Sequence, residues 1–164
     1  MTSQAALSIS LSSSSSIAII RTISRLVYEH CLSIKLNDDT AACFQLAAQE
    51  LAENVVKYSA GPQVKLEVEL SKVGHQRWLC VRASNEASSE QLHEAERRLV
   101  QIIEAEDPIA LYDRMIRESA PQLDVSGLGL VRLRAEAEFV LEYKIEGRLL
   151  TISAFMDVAQ REVG

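Results

Sequence analysis

The stretch AACFQLAAQELAENVVKYSA (residues 41–60) decides how the rest of the chain is read. Phe44, Ala47, Ala48, Leu51, Val55 and Tyr58 recur at three- and four-residue intervals, the spacing of a buried helical stripe, which predicts one long helix over Ala41–Tyr58. Glu50 and Asn54 share one side of that helix, roughly 6 Å apart along its axis, and that side borders the stripe. A carboxylate and a carboxamide placed there can look into a pocket formed by whatever covers the helix. Such a pair can polarise a nucleophile and hold a hard metal ion. Glu more often ends on a solvated face, but Asn inside a helix is less comfortable and asks for a reason.

Upstream, Ala5–Leu11 alternates apolar and polar residues, a short strand by period. The serine run Ser12–Ser16 reads as a loop and helix cap, with a phosphorylation target as the alternative. Ile17–Leu32 is expected to be a helix on a sheet, with Ile17, Ile20, Ile23, Leu26, Val27 and Cys31 inward and Arg21, Arg25 and Glu29 outward. Asn37, Asp38, Asp39 and Thr40 offer capping groups ahead of the long helix.

Downstream, Gly61-Pro62 stops the helix. Val64–Lys72 and Trp78–Arg82 form an antiparallel hairpin turning at Val73-Gly74-His75-Gln76. Ser84–Ser89 is expected to break the second strand. Two helices follow, Glu90–Glu104 with Leu92, Leu99, Ile102 and Ile103 buried, and Pro108–Glu118 with Ile109, Leu111, Tyr112, Met115 and Ile116 buried; Pro121 ends this section. In Ser126–Phe139, Gly127 and Gly129 open a short helix. They either let backbone N–H groups approach an anion at its N-terminus or start the helix for steric reasons alone. Phe139–Ile145 and Leu149–Phe155 make a last hairpin around Glu146-Gly147-Arg148. The order predicts an α+β fold: a two-layer sandwich in which a mixed, mostly antiparallel sheet of about five strands carries helices on one face, in a single domain over 1–164.

Composition narrows the function classes. The chain has 164 residues, 48% hydrophobic, with 17 Lys and Arg against 23 Asp and Glu for a formal net charge of -6. No basic run offsets that charge, which disfavours nucleic acid and anionic membrane as partners, whereas one nucleotide needs only a local site. Cys31, Cys43 and Cys80 have no CxxC spacing and read as buried reduced thiols suited to a reducing cytoplasm. Three scattered histidines do not make a zinc site. There is no secretion signal and no apolar run of membrane-spanning length, so a cytoplasmic protein is expected.

Two segments carry a resemblance. QELAENVVKYS (residues 49–59) resembles the N-box helix of the GHKL (histidine-kinase-like) ATPase superfamily, and SGLGLVRLRAEAEFVLEY (residues 126–143) resembles its second glycine box and following strand. Within that superfamily the chain is most similar to the anti-sigma-factor serine kinases of bacterial partner switching. The resemblance implies a Bergerat-like ATPase fold binding ATP and Mg2+, with Glu50 as base toward an attacking hydroxyl and Asn54 as the magnesium ligand through the phosphates. It places Gly127, Leu128 and Gly129 against the phosphates. Lys57 either reaches a phosphate or stays solvated. It also implies an antagonist or sigma-like protein partner, a homodimer paired through the face carrying Arg21, Arg25 and Glu29, and a mobile lid where the helical insertion 88–120 stands.

One departure matters. The family's DxGxG, whose aspartate accepts from the adenine amino group, is replaced by Arg82-Ala83-Ser84-Asn85-Glu86-Ala87-Ser88. Asn85, or by position Ser84, is left to contact the base, without the charge that roughly doubles such a bond. Two functions therefore stand side by side. One is an ATP–magnesium-binding regulator that phosphorylates a serine or threonine of an antagonist protein. The other is a degenerate, non-catalytic protein-interaction module of the same fold.

Overall fold

The computed structural model describes residues 2–12, 14, 17–119 and 127–161. Parts of the serine turn (13, 15 and 16), Pro121 and Ser126 lie outside the described residues. The sheet holds β1 (Thr2–Ser12), β2 (Gln63–Val73), β3 (Gln76–Glu86), β4 (Val140–Glu146) and β5 (Leu149–Asp157). Its order is β1-β2-β3-β5-β4, and every pairing is antiparallel. Period-two alternation explains the pleat: Val64, Leu66, Val68 and Leu70 of β2, Leu79, Val81 and Ala83 of β3, and Leu150, Ile152, Ala154 and Met156 of β5 are all buried. Two-residue turns close both hairpins, and Gly74 and Gly147 there take φ values of +62°, the left-handed backbone that glycine adopts without strain.

The expected break at Ser84 does not occur. Lys65 and Val64 pair with Ser84 and Asn85 on one side, and Thr151, Leu150 and Leu149 pair with Ser84, Asn85 and Glu86 on the other. With ladder partners on both flanks, polar side chains do not end a strand. β3 therefore carries Asn85 into the layer facing the helices.

The helices are α1 (Ile17–Ser33), α2 (Asp38–Lys57), α3 (Ser89–Ile103), α4 (Pro108–Ser119) and α5 (Leu128–Ala137). α2 begins three residues before the expected start at Ala41 because Asn37 caps it, its side chain accepting from the Thr40 N–H at 2.9 Å. Asp38 and Asp39 in the first turn complement the helix dipole. Its inner face buries Phe44, Ala47, Ala48, Leu51 and Val55, and Phe44 meets Phe139 edge to face at 5.0 Å.

α1 corrects the expected stripe. Ile20, Ile23, Ser24, Val27 and Cys31 are buried, while Ile17 is 61% and Leu26 48% exposed. The helix can turn Ser24 inward because its hydroxyl donates back to the Arg21 carbonyl at 2.9 Å, which carries Leu26 outward. The same correction applies to α4: Leu111 is buried, but Ile109 and Ile116 are exposed.

The three cysteines are free thiols, and burial pushes each one up, Cys31 to about 12. Among the described residues no helix is long and apolar enough to cross a membrane.

Candidate functional site

The second half of α2, the end of β3, and α5 converge at one end of the helical layer. Gly127 caps α5 with φ +92°, and the first intrahelical bond runs from the Val131 N–H to the Gly127 carbonyl at 3.1 Å. The N–H groups of Leu128, Gly129 and Leu130 precede that bond and so lack an acceptor within the helix. Gly127 has no room to be anything larger in comfort: a Cβ there would meet Ile102 Cδ1 at 3.3 Å in addition to the positive φ.

A cavity of about 1390 Å³ opens beside this turn. Asn54, Lys57, Asn85, Gly127 and Leu130 line it from the α2, β3 and α5 side. Across from them α3 and α4 contribute Gln91, Ala95, Arg98 and Met115. Asn54 donates its amide N–H to the Glu50 backbone carbonyl at 2.8 Å, which leaves the amide oxygen as the group it presents.

Asn85 is 2% exposed, and its amide nitrogen donates to the Tyr58 and Glu86 carbonyls at 3.2 Å each. Two carbonyl acceptors fix which end of the amide is which. The Asn85 Oδ1 is thus the atom available to a ligand, and it is an acceptor. Lys57 is exposed, with its ammonium 5.3 Å from the centre of the Tyr58 ring.

Glu50 is placed differently. Its carboxylate lies under the first turn of α5, where a Cβ on Gly129 would come within 1.8 Å of Oε2. The side chain is 19% exposed, and Arg132 Nη1 stands 3.9 Å from Oε1. Burial pushes the Glu50 carboxyl up, Glu53 adds to that, and Arg132 opposes it. The sequence signal for Arg132 is its spacing: it lies three residues after Gly129, on the same face of a helix.

Ser84 is not brought to this site. Neighbouring residues of a strand face opposite ways, so Ser84 points to the sheet's other surface, where its hydroxyl bonds Thr151 at 2.9 Å. There it lines a separate 510 Å³ concavity with Lys65, Glu67 and Arg82. Leu128 is half-buried in the first turn of α5, beside Gly129.

The insertion is not built as a loose lid. Ser88 and Gln91 form a reciprocal capping box at the start of α3, and Leu92, Leu99, Ile102 and Leu111 enter the main core. These four residues anchor it, while Ile109 and Ile116 stay exposed.

Compared by sequence, the chain matches no protein-family model and no curated protein. Compared by fold, it is similar to a chain of the SiaB–SiaC complex from Pseudomonas aeruginosa, with a TM-score of 0.67 over 90% of this chain and 88% of that one. The two are 14% identical, a level at which the likeness shows a shared fold.

Proposed function

We propose that the chain is a regulatory nucleotide-binding protein of the bacterial partner-switching type, taking ATP with Mg2+ in the 1390 Å³ cavity and acting on an antagonist protein. The observation that carries this reading is Asn85: a buried residue lining the cavity whose amide nitrogen is committed to two backbone carbonyls keeps its oxygen as an acceptor, which suits an exocyclic amino group such as that of adenine. The N-terminus of α5, where the N-cap Gly127 supplies no side-chain acceptor, suits phosphate. The Asn54 amide oxygen is a hard ligand for magnesium shared with phosphates, and the ion would neutralise charge on the phosphoryl group in transfer. No group of three or more acidic, His or Cys side chains able to hold a metal occurs among the described residues, so such an ion would depend on the nucleotide.

The same reading gives Glu50 the role of base toward a partner serine or threonine, through the GHKL resemblance of the N-box segment. For that step its carboxylate must leave the underside of Gly129. A second reading, a non-catalytic interaction module, is favoured by that burial together with the missing DxGxG. The relationship to a chain from a two-protein complex supports a protein partner under either reading. A homodimer through α1, where Ile17, Ile19 and Leu26 are exposed among charged residues, is part of the proposal.

A thermal-shift titration with ATP, ADP and GTP, with and without Mg2+, separates the two. Binding raises the midpoint with ligand concentration. The first reading predicts a magnesium-dependent rise with ATP exceeding that with GTP, and the second predicts no shift with any of them.

A further inference from the structure

The end of α3 is fastened to α5 at two points. The Ile102 side chain packs on Gly127, its Cδ1 3.3 Å from where a Cβ would stand. The backbone carbonyl of the same residue accepts from Arg134 Nη1 at 2.5 Å, and the Ala105 carbonyl accepts from that nitrogen at 3.2 Å. Arg134 lies about two turns beyond Gly127 on α5, and helical side chains lean toward their own N-terminus, so the guanidinium reaches back to the joint between α3 and α4. Carbonyls at the end of a helix have no partner within it, and a cation there also meets the negative end of the dipole. The charged donor thus occupies the position where the α3–α4 joint would otherwise be loosest.

The geometry points to Arg134 as a positioning residue that bolts the α3–α4 insertion to α5, making the insertion a fixed wall of the cavity and not a lid that opens and closes over it. Because α5 carries the glycine turn at one end and the Arg134 clamp near the other, a displacement of its first turn is passed to the α3–α4 joint. This inference stands apart from the nucleotide reading, since it concerns the chain with nothing bound.

Hydrogen exchange read by mass spectrometry on the full chain, without ligand, tests it, with the β2, β3 and β5 amides as internal reference. In the native protein the α3 and α4 amides exchange as protected helices. Arg134→Ala accelerates exchange roughly 10- to 100-fold at the end of α3 and in α4, the loss expected for a charged hydrogen-bond donor, and leaves the reference strands unchanged. Arg134→Lys, which keeps the charge and can serve one carbonyl, gives an intermediate effect and covers the case in which the alanine variant is globally unstable. Rapid exchange of α3 and α4 in the native protein overturns the inference. So does acceleration that is absent in both variants, or uniform across insertion and sheet in both.

Discussion

The Glu50 carboxylate fills the space that any side chain at position 129 would need: a Cβ on Gly129 would lie 1.8 Å from Oε2 and 2.4 Å from Cδ. Helix α5 therefore rests directly on Glu50. Ala is better than Gly within a helix by roughly 1 kcal/mol, so on an open face Gly129→Ala would stabilise. Here we expect it to destabilise by about 1–2 kcal/mol, because Glu50 must swing out of a buried position. In a Glu50→Ala background the same change becomes stabilising. Urea denaturation of the four variants measures the sign reversal, and additivity of the two substitutions would contradict the contact.

The amide of Asn85 is needed where it stands. In the native chain its amide donates to the Tyr58 and Glu86 carbonyls. A carboxylate in that place has no proton to offer either of them. Asn85→Asp is expected to cost about 2–3 kcal/mol at neutral pH and less in acid, where the protonated side chain regains a donor. Denaturation at two pH values checks this, and a variant as stable as the native chain at neutral pH would refute it.

His30 predicts an acid-sensitive stability. Its Nε2 is a buried atom without a hydrogen-bond partner among the described residues, and burial lowers the imidazole below its ordinary value of 6.5. Below 6.5 the unfolded chain binds a proton that the folded chain resists, so stability falls as pH drops through that window. His30→Leu removes the penalty. It is expected to be more stable by about 1 kcal/mol with a flatter slope below pH 6.5. Parallel pH profiles for the two proteins would rule the assignment out.

The hairpins, the long helix and the glycine turn were legible because each rests on local chemistry: alternation in β2, a 3.6-residue stripe in α2, and glycine at left-handed turns. The misread elements are those settled by neighbours distant in sequence. Ser84 to Glu86 look like a strand end until strands on both sides supply their bonds. Leu26 is the exception: Ser24 turns inward on a local bond three residues back, which carries Leu26 outward. Ser84 and Asn85 are adjacent in sequence, and the pleat sends only Asn85 to the cavity. The Glu50–Gly129 contact joins residues far apart in the chain, and periodicity within a segment cannot register it.

The central claim is that Asn54 and Asn85 face one nucleotide-binding cavity. Isothermal titration calorimetry of ATP with Mg2+ against the native chain, Asn54→Ala and Asn85→Ala tests it most directly. The account predicts a dissociation constant of about 1–100 μM for the native chain. Asn54→Ala should weaken binding only when magnesium is present, and Asn85→Ala with or without it, each by about tenfold or more. Absence of binding to the native chain, or unchanged affinity in both variants, would contradict it.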